Sequence, residues 1–240
     1  MSLPTARDVG AVRPTRATAA ALILDADRTL APGDTGRAVG AILGLNGCIR
    51  SVFEACGYTD RAFQAVAACW ATAPEGDYLA AVAEVADRVA LRPAWLTVLT
   101  GLTARCEVQV VTAGIPQVWR RALARHGLSG IPVVGGCRAG LDPYCVTPAC
   151  KAAAVEQRQA QGAYVVAAGD SEIDLPMLTA ADLPLFVADA KGSPRLLARL
   201  NEAPHTCHFV TDGRRFDGLP ALTPAEVIGR LTREGARHAA

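Results

Sequence analysis

This sequence predicts a parallel β-sheet wound with helices on both faces, with an all-helical unit inserted after the first strand. Three observations lead there. Short, largely apolar runs recur, among them Ala21–Leu24, Glu107–Thr112 and Ala163–Ala168, each the right length for a strand buried on both faces. Helical patterns separate these runs, and that alternation builds parallel sheets. Residues 31–92 carry helical periodicity without a strand signal, far longer than the connection of a plain βαβ unit.

In chain order, residues 1–19 are rich in Arg, Pro, Thr and Ala without periodicity and read as a flexible tail. The first strand follows at about Ala20–Leu24. Asp34-Thr35 can cap a helix running through Ala38, Ile42 and Leu43, broken at Asn46-Gly47. Ile49, Val52, Phe53 and Cys56 form a second apolar stripe closed by Gly57. Phe63, Val66, Ala67 and Trp70 form a third, and Tyr78, Val82, Val85, Val89 and Leu91 a fourth. Residues 32–92 therefore read as a helical cap over the strand end, rather than as a thickening of one flank. Residues 20–31 and 93–240 supply the core. There, Pro93–Thr103 is a helix, Glu107–Thr112 a strand and Ile115–His126 a helix. Ile131–Val134 is a strand and Arg138–Val146 a small hairpin or loop. Thr147-Pro148 opens a helix through about Gln159, since proline suits a first helical turn. Ala163–Ala168 is a strand and Asp174–Thr179 a short helix. Leu185–Val187, a helix near Pro194–Leu200, a strand at His208–Thr211 and a helix at Pro224–Thr232 close the chain.

Composition excludes several functions. The 240 residues carry a net charge of +1, which gives no electrostatic case for a nucleic acid or an anionic membrane as partner. No apolar run approaches the ~20 residues that span a bilayer, and the N-terminus lacks the apolar stretch of a signal peptide. A soluble, cytoplasmic protein is expected. None of the eight cysteines forms a CxxC pair, so all are expected as free thiols of a reducing compartment. The chain has 22 arginines and only two lysines, Lys151 and Lys191. A retained lysine in such a chain is notable, because ammonium and guanidinium differ at a phosphate.

The first strand ends in Asp25-Ala26-Asp27-Arg28-Thr29. Two carboxylates at the carboxyl end of a buried strand lie where open α/β sheets bind ligands. Burying them is costly without a positive partner, and a divalent cation with a taste for hard oxygens fits. Other strand ends add Thr112-Ala113-Gly114 and Gly169-Asp170-Ser171 with Asp174, and Lys151 sits near a helix start between them. These residues converge along one edge of a doubly wound sheet.

The set, in this order, resembles the haloacid dehalogenase superfamily, a Rossmann-like core with a cap, and within it the aspartate-nucleophile phosphatases. The motifs are DADRT at Asp25–Thr29, Thr112-Ala113-Gly114, Lys151, and GDSEIDLPML at Gly169–Leu178. The resemblance implies Asp25 as nucleophile, Asp27 as general acid and base, and Mg²⁺ held by Asp25, the Asp27 backbone carbonyl and Asp170, with Asp174 orienting the metal or its waters. Thr112, the Ala113 N–H and Lys151 are then the phosphate ligands. Asp27 suits a leaving alkoxide and points away from dehalogenation, which needs no acid there. The all-helical insert is most similar to that of the phosphoserine phosphatase branch, where an acid early in the lid meets the substrate ammonium. Asp34 is the nearest match, with Arg37, Arg50 and Arg61 available for a carboxylate. The expectation is a Mg²⁺-dependent phosphomonoesterase for a small phosphorylated metabolite. A phosphotransferase using the same aspartyl-phosphate and a catalytically silent binding protein are the alternatives. Oligomeric state is not readable.

Overall fold

β1 (Ala20–Leu24) lies inside the sheet with every residue buried. The computed structural model describes residues 3–13, 18–102, 106–187, 194–202, 205–210 and 218–238. Among them β2 (Glu107–Thr112) and β3 (Val133–Gly135) extend the sheet on one side of β1. β4 (Tyr164–Gly169), β5 (Leu183–Phe186), β6 (His208–Val210) and β7 (Ala221–Leu222) extend it on the other. All pairings are parallel, as the sequence predicts. The chain leaves β1 toward β2 and β3, then crosses back to β4 and runs outward. The connections therefore diverge between β1 and β4, and a crevice at the carboxyl ends of such a strand pair is the binding position of open α/β sheets.

Strand alternation feeds two cores. Leu22, Leu24, Val110 and Val166 pack under α5 (Pro93–Leu102), α6 (Pro116–Arg125) and α10 (Pro224–His238) through Trp95, Leu99, Trp119 and Val227. Ala21, Ile23, Val111 and Val165 pack under α7 (Pro148–Gln159), α8 (Leu175–Ala180) and α9 (Pro194–Asn201) through Cys150, Ala154, Met177 and Leu200. Burial on both faces is the state that the continuous apolar strands anticipate.

Between β1 and α5 comes the helical insert: α1 (Thr35–Leu43), α2 (Asn46–Cys56), α3 (Asp60–Ala71) and α4 (Glu75–Arg88). Asp34 caps α1 by accepting from the Arg37 N–H at 2.8 Å, and Thr59 caps α3, as their types favour. Val39, Val66, Trp70, Tyr78 and Val82 join the same apolar cluster as Leu22 and Leu24. The insert therefore shares the sheet's core instead of closing on its own. Arg121 clamps α4 to α6 through two bonds to Asp87 at 2.8 and 2.7 Å.

The structure departs from the sequence reading in four places. Residues 3–13 pack against the core, although their composition reads as a flexible tail; residues 14–17 lie outside the described residues. Thr5 bridges to Cys145, Ala6 and Val12 are fully buried, and the Val12 carbonyl accepts from buried Arg158 at 2.7 Å. The same guanidinium bonds Glu107 and Gln109 of β2, so a buried cation supplies the anchor that local composition does not reveal. Cys48 and Cys69 form a disulfide between α2 and α3, against the expectation of free thiols throughout. Cap packing brings this pair together, with no sequence motif. β7 is two residues long and carries no periodicity to read. α10 runs to His238, six residues past the expected end.

Candidate active site

Four strand or helix ends meet at the β1–β4 crevice. The Asp25 N–H donates to the Ala168 carbonyl at 2.9 Å, which continues the β1–β4 ladder one residue past the strand and fixes the side chain at the sheet edge. Lys151, in the first turn of α7, reaches the same point. Its Nζ donates to Asp25 Oδ1 at 2.5 Å and to Asp174 Oδ1 at 2.6 Å, with all three residues buried. Asp174 stands at the start of α8, but its carboxylate makes no cap bond to that helix and instead folds back. Oδ2 accepts from the Asp170 N–H at 3.1 Å, the Ser171 N–H at 3.0 Å and the Ser171 hydroxyl at 2.8 Å. A side chain at Gly169 would overlap Asp174, so the turn requires glycine. One carboxylate oxygen each from Asp25, Asp170 and Asp174 lies within 4.8 Å of the others.

Asp27 points to the neighbouring side of the crevice. Its Oδ1 accepts from the Thr35 N–H at 2.5 Å and its Oδ2 from the Trp119 indole N–H at 3.3 Å. A Cβ on Gly114 would overlap Oδ2. Thr112 Oγ1 accepts from the Gly114 N–H at 3.0 Å, which leaves its hydroxyl proton for another acceptor. Arg28 takes a left-handed backbone conformation, φ 60°, rare for a residue with a side chain. Its Nε pairs with Asp170 Oδ2 at 3.1 Å, and its carbonyl accepts from Arg92 at 3.0 Å.

The site holds more acid than its cations offset. Burial pushes Asp25 up to about 7, aided by the nearby Asp174 charge and opposed by Lys151. Burial pushes Asp27 up to about 6, opposed by the Thr35 and Trp119 hydrogen bonds. Burial, then Asp25 and Asp174, push Asp170 up to about 8, with Arg28 and Lys151 pulling back. Burial works against the Lys151 ammonium, but Asp174 and Asp25 override it and hold it firmly protonated. Asp25 and Asp170, both pushed toward their neutral forms, and Asp174 bring three hard carboxylate oxygens together, a donor set that suits a hard divalent cation. Both Asp174 oxygens also accept hydrogen bonds, from Lys151 and from the Asp170–Ser171 turn.

A cavity of about 400 Å³ opens above these groups. Asp25, Asp27, Thr112, Ala113, Lys151 and Asp170 line its floor. Asp34, Arg37, Arg50 and Asn46 line it from the insert, along with Phe53, Tyr58, Phe63 and Trp70. Of the sequence candidates, Arg61 is not among the lining residues, and Asp174 lies fully buried behind Lys151. Sequence reading misses Trp119, Arg28 and the aromatic wall. Trp119 has no local signal, because it lies 92 residues from the carboxylate it meets. The cluster of aromatics at 53–70 is a signal that reading stripes only as core overlooks.

A family model described as haloacid dehalogenase-like hydrolase matches residues 22–179. The chain belongs to that family. As a haloacid dehalogenase-like hydrolase it shares its fold with solved structures of low identity. One is a phosphoserine phosphatase in apo form, 16% identical with a TM-score of 0.57, covering 78% of this chain and 92% of that one. A substrate-bound phosphoserine phosphatase is 16% identical with a TM-score of 0.57, covering 81% and 93%. A HAD family hydrolase from Salmonella enterica serovar Typhi is 18% identical with a TM-score of 0.56, covering 78% and 67%. No curated protein matches the sequence. No helix among the described residues is long and apolar enough to cross a membrane.

Proposed function

We propose that this hydrolase is a Mg²⁺-dependent phosphomonoesterase acting on a small phosphorylated metabolite through an aspartyl-phosphate on Asp25. The observation that carries this reading is the pairing of one buried ammonium, Lys151, with Asp25 and Asp174, while Asp27 is held separately on the same cavity. Two carboxyls in different surroundings suit two different roles.

In the first half-reaction an Asp25 oxygen attacks phosphorus and the P–O bond to the alcohol breaks. The leaving alkoxide takes the proton of Asp27, whose carboxyl, held up at about 6, retains a share of protonated form near neutrality. In the second, Asp27 takes a proton from the water that attacks the phosphorus, and phosphate leaves with Asp25 restored. The Thr112 hydroxyl, the Ala113 N–H and Lys151 hold the phosphoryl oxygens as charge shifts among them. Asp25, Asp170 and the Asp27 backbone carbonyl would hold Mg²⁺, which offsets repulsion between a carboxylate nucleophile and an anionic ester. Asp174 keeps Lys151 and the Asp170 turn in place. Asp34 stands at the rim as a contact for the rest of the substrate, with one oxygen committed to capping α1.

The test is phosphate release from a panel of phosphomonoesters, with Mg²⁺ and with EDTA. The expected result is release that EDTA abolishes and that Asp25→Asn lowers by about 10³-fold or more, with its thermal unfolding still cooperative. Release that survives in Asp25→Asn overturns the reading, as does appearance of the phosphoryl group only on added alcohols.

A further inference from the structure

The floor of the cavity accounts for a phosphoryl group, and the insert determines what the rest of the ligand is. α2 is amphipathic, with Ile49, Val52, Phe53 and Cys56 on one stripe, yet none of its eleven residues is buried. The stripe is only half-covered, by the core cluster on one side, and full burial is what normally holds such a helix in place. Ile49 and Phe53 pack in part against the core cluster and also line the cavity. Phe63 and Trp70 of α3 face the same space, and Tyr58, half-exposed, closes it between the two helices. The whole chain has five Phe, four Tyr and three Trp, and four of these line this one cavity. Phe53 meets Tyr58 at 5.1 Å and Phe63 at 5.3 Å between ring centroids, tilted and edge-on. An edge-on pair occupies one face of one ring, and a further ring can pack by its edge or its face on the surface that remains.

The rim carries the opposite chemistry. Arg37 and Arg50 are exposed there, and neither guanidinium has an ion-pair partner among the described residues. Asp34, the acid of the insert that shares this rim, is engaged as the α1 cap. From floor to mouth the cavity therefore presents phosphate ligands, an aromatic wall, and unpaired guanidinium charge.

We propose that the substrate is the phosphomonoester of an alcohol carrying an aromatic ring and a second anionic group, the ring held by Phe53, Tyr58, Phe63 and Trp70 and the anion by Arg50 with Arg37. This rests on the phosphomonoesterase reading above. A ring of this kind fills space that a short aliphatic phosphate leaves wet, and its burial is worth about 10- to 100-fold in affinity.

Two matched probes isolate the ring. Benzyl phosphate and ethyl phosphate are both esters of primary alcohols with similarly poor leaving groups. Binding is read by calorimetry on full-length Asp25→Asn in Mg²⁺, and turnover by phosphate release from the wild type. Benzyl phosphate is expected to bind about 10- to 100-fold tighter. A para-carboxylate on its ring is expected to add about tenfold, lost in Arg50→Gln. Phe53→Ala is expected to bring the benzyl-to-ethyl ratio close to one, with Tyr58→Ala, at a half-exposed position, serving if the first variant does not fold. Equal affinity for the two probes, or a preference unchanged in both variants, overturns the inference. Equal binding with Mg²⁺-dependent turnover of both leaves the phosphomonoesterase standing and removes the ring site. Preferential binding of benzyl phosphate without phosphate release from either probe does the reverse.

Discussion

At the scale of single residues, the acidity of the site and the indole that donates to Asp27 give two tests. Trp119 is fully buried on α6 and spends its indole N–H on Asp27. Trp119→Phe keeps most of the packing and removes the donor. It is expected to lower kcat for ethyl phosphate about tenfold, the scale of one hydrogen bond to a charged group. The loss is expected to be smaller for 4-nitrophenyl phosphate, whose leaving group needs no proton; equal loss on both removes Trp119 from the orientation of Asp27. The second test is stability against pH. Asp27 and Asp170 carry folded values of about 6 and about 8 against an ordinary value near 4. The fold therefore takes up protons that the unfolded chain releases. That stabilisation is complete below about pH 4 and is lost as pH rises through about 6 for Asp27 and about 8 for Asp170. Urea midpoints of the metal-free protein are expected to fall across this window, and saturating Mg²⁺ to restore the upper part. A midpoint that rises with pH contradicts the balance of charge described here. The candidate carboxylates were legible because each follows an apolar run or opens a helix. Arg28 was not: its left-handed backbone and its pairing with Asp170 depend on a strand 140 residues on.

At the scale of elements, the strands and most helices could be read from periodicity, and the departures share one cause, which is partners distant in sequence. The tail of polar and small residues is held by Arg158 from α7, and β7 exists only because β6 offers it an edge. The Cys48–Cys69 bridge joins α2 to α3, a helix with no buried residue to one with six. It closes a loop with a separation of 21 residues, for which chain entropy gives a stabilisation of about 3 kcal/mol. Cys48→Ser with Cys69→Ser is expected to lower stability by about that amount in denaturant titrations. KM is expected to rise more than kcat falls, because Ile49 and Phe53 on one wall then move against Trp70 on the other. A double variant as stable as the wild type, unaffected by reductant, leaves the bridge without a role in the insert.

At the scale of the whole molecule, topology does what no single motif does. Asp25, Thr112, Lys151, Asp170 and Asp174 are spread over 150 positions, and one reversal of strand order between β1 and β4 gathers them at one edge. Sequence order alone was enough to anticipate that gathering, because parallel strands place their carboxyl ends side by side. It was not enough to show that the insert shares the sheet's core, because α1–α4 have the stripes expected either of a free lid or of a flank. The continuous cluster from Leu24 through Val39 to Trp70 ties the wall of the cavity to the strand that carries the nucleophile. The reaction proposed for this chain depends on Asp25 accepting a phosphoryl group. The most direct measurement is mass spectrometry of the wild-type protein, acid-quenched during turnover of benzyl phosphate in Mg²⁺. The expected result is one phosphoryl group on the peptide containing Asp25, absent with EDTA and absent in Asp25→Asn. Sustained phosphate release with that peptide never modified, or the phosphoryl group found on another residue, contradicts the mechanism.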